Sequence, residues 1–444
     1  MNFRYLRCLV TLLVCGLSAA PAQLVNGRFT TSLYTFERFD TVGSSTTYVR
    51  AFQTAQLSVA EGDLSFHTYV IGAMNGAGAF GDNGRVRLYN LYMRWANIGS
   101  IGELSLGRQA VYAGAGNGTI DGLSARVRLL EDQITVRGHA GSTVNQDFSG
   151  LRKNWHDNLS FGGQIMTTAL QDARIGLSYL NRREQQDPYW TLRTRDTTFT
   201  PVPYYVAPLP ENEERVSADV AYAFGELVTV YGRYDYDVLY RNTARGQGAV
   251  RVTVSPALAL TGEYIYRKPR VSFNSIFSAF TLNAVSEIEG GVEYSLKPMP
   301  GRFGGLPLFL FAKLGYVSYS DDKSMRWTVG WSTTYGSMSY SHGSGYAGDI
   351  HSFNVQGSYP LFDRVLVPTV GLSMARYRLS ADAPSEDALA ILAGATVRPL
   401  KQFSFDVQGQ WMKNKLYDRD MRLQVRLNYW FAERISPLAG EVKQ

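Results

Sequence analysis

Residues 421–431, MRLQVRLNYWF, separate into two interleaved sets of side chains. One set is apolar and the other is mostly polar: Leu423, Val425, Leu427, Tyr429 and Phe431 against Arg422, Gln424, Arg426, Asn428 and Trp430. Because successive side chains of a strand point to opposite faces, the alternation predicts a strand with one apolar face. A soluble antiparallel sandwich would show the same pattern, so the fold depends on how often it recurs.

The first 22 residues have the layout of a secretory signal peptide. Arg4 and Arg7 precede an apolar run at 8–17, and Ala20-Pro21-Ala22 fits an A-x-A cleavage site. The apolar run is far shorter than the roughly 20 residues that a spanning helix needs, which favours a cleaved leader over an anchor. The sequence therefore predicts export through the inner membrane.

Composition excludes several classes of function. Both cysteines, Cys8 and Cys15, lie in the leader, so disulfides, thiolate catalysis, thiolate metal sites and C-x-x-C-H haem attachment are excluded for the mature chain. The net charge of +6 is small, includes two leader arginines and is dispersed, so no nucleic-acid partner is expected. With 13% aromatic, 18% charged and many glycine residues, the composition favours one large β structure.

The two-residue period recurs along the chain. In VTVYGRYDYDV, residues 228–238, Val228 and Val230 alternate with Thr229 and Tyr231. Other segments of this kind are 123–131, 250–255, 258–267, 287–296, 326–333 and 403–411. No segment keeps an i, i+3, i+4, i+7 apolar stripe long enough to predict a helix, so the chain is predicted to be all-β.

Short and long connections alternate between these strands. The short turns are predicted at 61–63, 98–102, 131–132, 171–172, 225–226, 255–256, 362–364 and 401–402. The longer links are predicted at 75–85, 110–122, 145–158, 187–214, 273–284 and 381–387. Short turns at one end and long loops at the other are typical of outer-membrane barrels.

We therefore predict a transmembrane antiparallel β-barrel of about 22 strands, with 18–22 allowed, over residues 23–431. Residues 1–22 are the predicted signal peptide, no plug domain is expected, and residues 432–444 are predicted to form a periplasmic C-terminal tail. A barrel of this size without a plug encloses a wide lumen. We expect the lumen to be narrowed by a loop, with 187–214 as the candidate, or filled by a partner.

Aromatic side chains near strand ends fit such a barrel. Tyr and Trp are amphipathic and favour the headgroup level of a membrane. Trp95, Trp411, Tyr429 and Trp430 are therefore predicted to form girdles at the two membrane boundaries. Packing in a soluble core is the alternative for these four residues.

Two motifs carry a resemblance to a known family. Leu106-Gly107-Arg108-Gln109, a glycine-rich stretch and Asp121-Gly122-Leu123 together resemble the LGRQ…DG hairpin of porin-like outer-membrane proteins, including the alginate-export type. The strand 421–431 resembles the C-terminal β-signal of such proteins, with Tyr429 and Phe431 as its aromatic residues. The resemblance implies a location in the cell outer membrane, with outer-membrane lipids and the outer-membrane assembly machinery as partners. Family members usually end on the aromatic residue, whereas AERISPLAGEVKQ follows it here.

The polar sides of the strands supply candidate lumen-lining residues of both signs. They are Arg126, Arg128, Arg233, Asp235, Asp237, Arg251, Glu263, Arg267, Glu289, Glu293, Arg326, Asp406, Arg422 and Arg426. In a channel these charges would line the solute path. The alternative is that they are solvated or form cross-strand ion pairs, each contributing roughly 0.2–1 kcal/mol.

Enzymatic signatures are weak. The five histidines show no metal-ligand spacing and no nucleophile motif. Glu287, Glu289 and Glu293 lie at strand spacing and are expected to line the lumen, and GAGNGTIDG precedes a strand, so it is not a dinucleotide-binding loop. We predict a porin-like channel for small polar or charged solutes, with no catalytic residue, metal or cofactor. Two alternatives stay open: a scaffold barrel around a periplasmic electron carrier or secretion component that fills the lumen, and a barrel-embedded hydrolase.

Overall fold

The structure, a computed structural model, describes residues 23–39, 45–77, 84–145, 147–148, 150–152, 154–194, 200–271, 283–297, 306–320, 322–346, 348–380 and 382–435. The predicted leader and residues 436–444 lie outside this part of the chain. The strands are β1 (Gln23–Phe39), β2 (Ser45–Glu61), β3 (Leu64–Ala77), β4 (Arg85–Ile98), β5 (Gly102–Ala113), β6 (Gly116–Leu129), β7 (Ile134–Thr143), β8 (Leu159–Thr167), β9 (Ala173–Glu184), β10 (Tyr189–Thr194), β11 (Pro201–Val206), β12 (Glu211–Phe224), β13 (Val228–Asp237), β14 (Asn242–Ser255), β15 (Leu258–Arg267), β16 (Val285–Leu296), β17 (Leu308–Tyr319), β18 (Asp322–Ser332), β19 (Gly336–Gly345), β20 (Gly348–Ser358), β21 (Leu366–Arg378), β22 (Glu386–Leu400), β23 (Phe403–Lys413) and β24 (Asp420–Ile435).

The strands form a closed antiparallel barrel. Twenty-two strands belong to one sheet, and the pairing of β1 with β24 closes it. Strand β9 pairs directly with β12, which leaves β10 and β11 as a separate two-stranded sheet. The predicted 22-stranded all-β barrel is confirmed. Among the described residues the one helical element is the 3-10 turn Trp155–Asp157, and no helix is long and apolar enough to cross a membrane.

The closing strand is longer than predicted. The alternation predicts that the barrel ends at Phe431, but β24 continues to Ile435, which pairs with Gln23 of β1. The physical reason lies in β1, whose first residues would be an open sheet edge without these partners. The predicted boundary at 431/432 is therefore wrong by the length of this extension.

Connections at the two ends of the barrel differ in length, with exceptions. The end that carries Gln23 and Ile435, called the turn end, has tight connections at 62–63, 225–227 and 256–257. The opposite end, called the loop end, has the long connections 144–158 and 185–210. Short turns also occur at the loop end, so the predicted sorting by length is incomplete.

Two connections were predicted wrongly. Residues 110–122 are not a long loop, because β5 and β6 run through them as far as a turn at Gly114 and Ala115. Gly114 has φ +55°, which suits a two-residue hairpin turn. The loop was predicted because the strands here are rich in glycine and other small residues. The proline-containing stretch 193–210 was predicted to be irregular, but 201–206 pairs with β10 in a ribbon whose edges tolerate proline.

The outer face of the barrel is apolar. On β4, Leu91, Met93 and Trp95 are 42%, 50% and 50% exposed and alternate with Tyr92 and Arg94. Exposed apolar side chains repeat in this way on strand after strand, which is what a lipid-facing surface requires and an aqueous surface rarely shows.

An aromatic cluster marks the outer face near the turn end. Phe431 stacks on Phe29 at 5.7 Å between ring centroids, and Tyr429 stacks on Phe431 at 5.9 Å. Phe403 lies 4.7 Å from Tyr429. Trp430 alternates to the other face, where the Arg28 guanidinium lies 5.3 Å from its ring, so its predicted girdle role is wrong.

Candidate functional site

The polar side of each strand faces the inside of the barrel. On β9, Leu177 is 58% exposed, whereas the neighbouring Ser178 is buried; on β13, Tyr234 is exposed, whereas Asp235 is buried. The predicted lumen-lining residues lie on the polar side: Arg126, Arg128, Arg233, Asp235, Asp237, Arg251, Glu263, Arg267, Glu289, Glu293, Arg326, Asp406, Arg422 and Arg426. Their role in a solute path stays a prediction.

Ion pairs join charges of neighbouring strands on this inner face. Arg326 of β18 donates to Glu287 and, at 2.9 Å, to Glu289, both on β16. Lys313 lies on β17, the strand between β16 and β18, and also donates to Glu289 at 3.0 Å. The desolvation of Glu289 is thus offset by two cations. Arg251 and Glu293 form a further pair.

Other predicted residues have more local partners. Arg126 donates to Glu103 at 2.5 Å, Gln247 donates to Glu263 at 2.6 Å, and Arg422 donates to Asp420 at 2.7 Å. Arg128 lies near the turn end, 3.6 Å from Asp132, and Asp237 accepts from the Tyr240 amide. Arg267 is in register with Arg245 of β14, and Arg426 is in register with Asp406 of β23. The predicted lumen-lining residues thus lie on several different strands with separate partners, and they do not form one cluster.

A hydrogen-bond network centred on the buried Asn428 side chain lies on the inner face, where β24 pairs with β1 and closes the barrel. Oδ1 of Asn428 accepts from Arg28 at 2.7 Å and from Thr30 at 2.9 Å, while its Nδ2 donates to Ser404 at 3.0 Å and Asp406 at 2.8 Å. All four hydrogen bonds of the side-chain amide are therefore made. The network ties β1, β24 and β23 together where the barrel closes.

Part of the β5–β6 hairpin leaves the barrel wall. Pairing of β5 with β4 stops at Arg108, and pairing of β6 with β7 begins at Ile120. Between these two points, residues 109–119 pair with each other, β5 with β6, and with neither neighbouring wall strand. We call residues 109–119 the lumen hairpin.

The tip of the lumen hairpin folds inward and contacts the inner face of the wall at β9 and β13. The Ala115 amide donates to Ser178 Oγ of β9 at 2.6 Å, and Arg233 of β13 donates to the Gly114 carbonyl at 3.2 Å. Strands β6, β7, β8, β9 and β12 separate β5 from β13 in the ring, so the hairpin bends into the lumen over the inner face of these strands. Leu180 of β9 packs against Gly116.

An apolar contact holds the lumen hairpin against the wall. Val111, Ala113, Ala115 and Ile120 of the hairpin region and Leu180 of β9 are 7%, 3%, 3%, 1% and 4% exposed. They make up most of the buried hydrophobic residues in the described part of the chain. Within the described residues, apolar burial is therefore concentrated where the hairpin meets β9.

A buried ion pair fixes the base of the hairpin. Arg108 Nε and Nη2 donate to the two carboxylate oxygens of Asp121, each at 2.7 Å. The same guanidinium donates to the carbonyls of Leu88, Phe148 and Gly150 at 3.0, 3.3 and 3.0 Å. The Arg108 side chain is 3% exposed and that of Asp121 is 12% exposed, so the pair is held away from water.

Gly107 makes the departure from the wall possible. Its φ is +124°, a conformation that residues with a side chain rarely adopt, and a Cβ there would collide with the backbone of Leu91 and Tyr92. The bend falls immediately before Arg108, which places the guanidinium across the base of the hairpin.

The β7–β8 connection covers the gap that β5 leaves beside β4. The Leu88 amide, which has no β5 partner, donates to the Phe148 carbonyl at 2.9 Å. The Phe148 ring stacks on Tyr89 at 4.5 Å. Arg108 binds this connection through the Phe148 and Gly150 carbonyls, so one guanidinium secures both the hairpin and its cover.

Cavities lie on both sides of the lumen hairpin. On the loop-end side a cavity of about 410 Å³ is lined by the hairpin, Asn145, Ser160, Arg182 and His139. The ring nitrogens of His139 are buried without a hydrogen-bond partner among the described residues. A cavity of about 210 Å³ on the other side is lined by Glu103, Arg126 and Arg137.

The constriction expected at 187–214 stays a prediction, because the described residues of this segment show only that it forms a ribbon separate from the wall. In the β10–β11 ribbon, Trp190, Leu192 and Tyr205 are 70%, 67% and 50% exposed. The ribbon packs mainly on itself because its pairing satisfies its own backbone, and it takes no wall position. The lumen hairpin, by contrast, leaves the wall pairing and enters the interior.

Sequence reasoning missed the inward turn of the β5–β6 hairpin, although a signal was present. Leu104, Leu106 and Arg108 occupy the same side of β5, so a regular wall strand would place a guanidinium in lipid. Such a position indicates a strand that has left the wall. Glu103 and Lys313 were also missed, although each stands at a polar position of its strand.

No protein-family model and no curated protein sequence matches the chain. Among solved structures, Pseudomonas aeruginosa OpdQ is similar at 9% identity, with a TM-score of 0.44, covering 92% of this chain and 98% of that chain. The P pilus usher (PapC) translocation pore is similar at 8% identity and a TM-score of 0.45, covering 92% and 99%. A BenF-like porin from Pseudomonas fluorescens Pf-5 is similar at 10% identity and a TM-score of 0.37, covering 92% and 99%. Identities this low do not transfer a function.

Proposed function

We propose that this protein is an outer-membrane channel for small polar or charged solutes, with the lumen hairpin as its constriction. The observation that carries the proposal is a hairpin fixed inside a closed barrel whose outer face is apolar. The outer face suits lipid, and the polar inner face suits water and solutes. A hairpin anchored by a buried ion pair suits a fixed aperture better than a mobile lid.

The charges of the inner face favour solutes of either sign. Arg233 with Asp235, Arg251 with Glu293, and Arg326 with its two glutamates place opposite charges side by side. Such pairs present local dipoles and little net field beyond a Debye length of about 8 Å. We therefore expect weak ion selectivity and a preference for small hydrophilic solutes.

Assembly and location belong to the same proposal. The leader 1–22 would direct export and be cleaved, and the closing strand with Tyr429 and Phe431 would be read by the outer-membrane assembly machinery. The outward position of the Phe431 ring, stacked on Phe29, supports a lipid boundary at the turn end. The LGRQ…DG resemblance supports the porin-like class, and in this chain those residues form the base of the lumen hairpin.

The test is conductance in a planar bilayer. In one variant, residues 111–118 are replaced by Asn-Gly, which joins the cross-strand partners Ala110 and Thr119 in a two-residue turn. In the matched control, residues 193–202 are replaced by Asn-Gly between the partners Leu192 and Pro203. We expect higher conductance in the first variant and wild-type conductance in the control.

Two results would contradict the proposal. If folded wild-type protein conducts at no voltage and co-purifies with a periplasmic protein, the scaffold hypothesis is favoured. If the first variant conducts like wild type and the control variant conducts more, the constriction lies in the β10–β11 ribbon.

A further inference from the structure

The β19–β20 hairpin brings together residues that are not recognisable as a motif in the sequence. His342 and His351 are direct cross-strand partners, and Asp349 lies close to the hairpin tip. One ligand atom from each of the three lies within 4.8 Å of the others. The antiparallel register, and not the spacing along the chain, creates this cluster.

The ligand atoms converge on one point. Asp349 Oδ1 lies 3.6 Å from His342 Nδ1 and 3.8 Å from His351 Nε2. Neither His342 Nδ1 nor Asp349 Oδ1 has a hydrogen-bond partner among the described residues, although both atoms are buried. Two buried polar atoms that face each other unsatisfied are costly, and a cation between them would remove the cost.

Neighbouring groups orient two of the three side chains. Tyr340 Oη lies 2.7 Å from His351 Nδ1, and a proton on that nitrogen leaves the Nε2 lone pair directed at Asp349. Arg378 Nη2 lies 3.6 Å from the other carboxylate oxygen, Asp349 Oδ2, and thereby holds Oδ1 toward the histidines. The guanidinium also opposes an incoming cation, so the site needs ligands that bind strongly.

The cluster lies on the outer face at the loop end. His342 is the register partner of Trp327, which shares its side of β18 with Met325 and Val329, 47% and 43% exposed. Trp327 and His342 are in ring contact at 5.9 Å between centroids. The His351 side chain is 44% exposed, so the site is open to ions from the loop-end side.

We infer that His342, Asp349 and His351 form a site for a divalent transition-metal ion of the Zn²⁺ class. Two imidazoles and one carboxylate suit Zn²⁺ and its neighbours, whereas Ca²⁺ and Mg²⁺ prefer oxygen ligands alone. With metal–ligand bonds of about 2.0–2.1 Å, tetrahedral ligand atoms lie roughly 3.3 Å apart, so small side-chain movements complete the geometry. A fourth position is left for water or another ligand.

The bound ion would clip two wall strands together. Residues 336–345, GSMSYSHGSG, consist largely of serine and glycine and offer little apolar packing. A metal that bridges β19 and β20 would stabilise this hairpin where its side chains contribute least.

The test is titration of tag-free, detergent-solubilised protein with Zn²⁺ by calorimetry. We expect a single bound ion per chain in wild type and loss of binding in His342→Gln and His351→Gln. His67→Gln is the matched control, because His67 is another wall histidine and lies between Ser58 and Ser65 in hydrogen-bond contact with both. A heat-modifiable band shows that each variant is folded.

A second measurement does not depend on the histidine variants. Cu²⁺ bound at the site should quench Trp327, so the Cu²⁺-dependent loss of fluorescence should be smaller in Trp327→Phe, and Zn²⁺ should compete with it. Absence of Zn²⁺ binding to folded wild type, or binding that survives both histidine substitutions, would overturn the inference. Equal quenching in wild type and Trp327→Phe would do the same.

Discussion

The Arg108→Ala substitution should release the lumen hairpin from the barrel interior. Among the described residues the change removes five hydrogen bonds: two to Asp121 and three to the carbonyls of Leu88, Phe148 and Gly150. It also leaves the Asp121 carboxylate, 12% exposed, without its cation. Both the base of the hairpin and the segment that covers the wall gap lose their anchor.

The size of the effect follows from burial. Breaking a buried pair by removing one partner costs about 3–5 kcal/mol, chiefly because the remaining charge is uncompensated. Since about 1.4 kcal/mol corresponds to a factor of ten, the equilibrium between the seated and displaced hairpin shifts by roughly a hundredfold or more. Removing both partners in Arg108→Ala with Asp121→Ala should cost less, because no orphaned charge remains.

Single-channel recording in planar bilayers measures the displacement. We expect Arg108→Ala to show larger or fluctuating conductance, and the double variant to lie closer to wild type. Arg376→Ala is the matched control: Arg376 and Asp387 form the same two-bond cross-strand pair, at 2.7 and 3.1 Å, but Arg376 is 67% exposed. Folded Arg108→Ala protein with wild-type conductance and noise would refute the role of the ion pair in holding the hairpin.

Three further substitutions test other parts of the barrel. Phe431→Asp should abolish the heat-modifiable band in outer-membrane fractions, because it places a carboxylate on the lipid-facing side, whereas truncation after Ile435 should preserve the band; the reverse result would misplace the end of the barrel. Asn428→Leu should lower the free energy of unfolding in urea by about 2–5 kcal/mol, since it removes four hydrogen bonds, two of them to the buried side chains of Thr30 and Ser404. Gln424→Leu on the same strand face should have a small effect, and equal losses in the two variants would contradict the role of the Asn428 network. Arg326→Gln should shift the reversal potential in a KCl gradient toward cation preference, because two glutamates lose a shared cation, and an unchanged potential would place them outside the ion path.

Alternation made the wall of the barrel predictable. The period-two rule identifies lipid-facing positions such as Leu423 and Leu427 without knowledge of their neighbours, because each strand meets the same two environments. It also placed the charged candidates on the polar side. It could not show which of them meet, since Arg326 reaches Glu287 and Glu289 across an intervening strand, and such pairings depend on register.

The interior was less predictable because it depends on contacts distant in sequence. The amide–hydroxyl contact between Ala115 and Ser178 joins residues far apart in the chain, and no local pattern records it. Asn428 looked like one more polar residue of β24, and its four partners appear only once β1 and β23 are in place. Strand 432–435 was missed because its partner lies at the opposite terminus.

The lumen hairpin is continuous with wall strands at its base yet has no lipid-facing surface of its own. Ala113 and Gly116 are the last cross-strand pair before the turn, and each additional pair would add one residue to each strand. The hairpin can therefore lengthen or shorten by two residues without a change in the register of the wall strands. The width of the aperture and the fit to the bilayer are thus separate design variables. For the same reason the lumen hairpin could be replaced by other sequences without a change in the barrel wall. Side chains that bind a chosen analyte could then be placed in the pore for single-molecule detection.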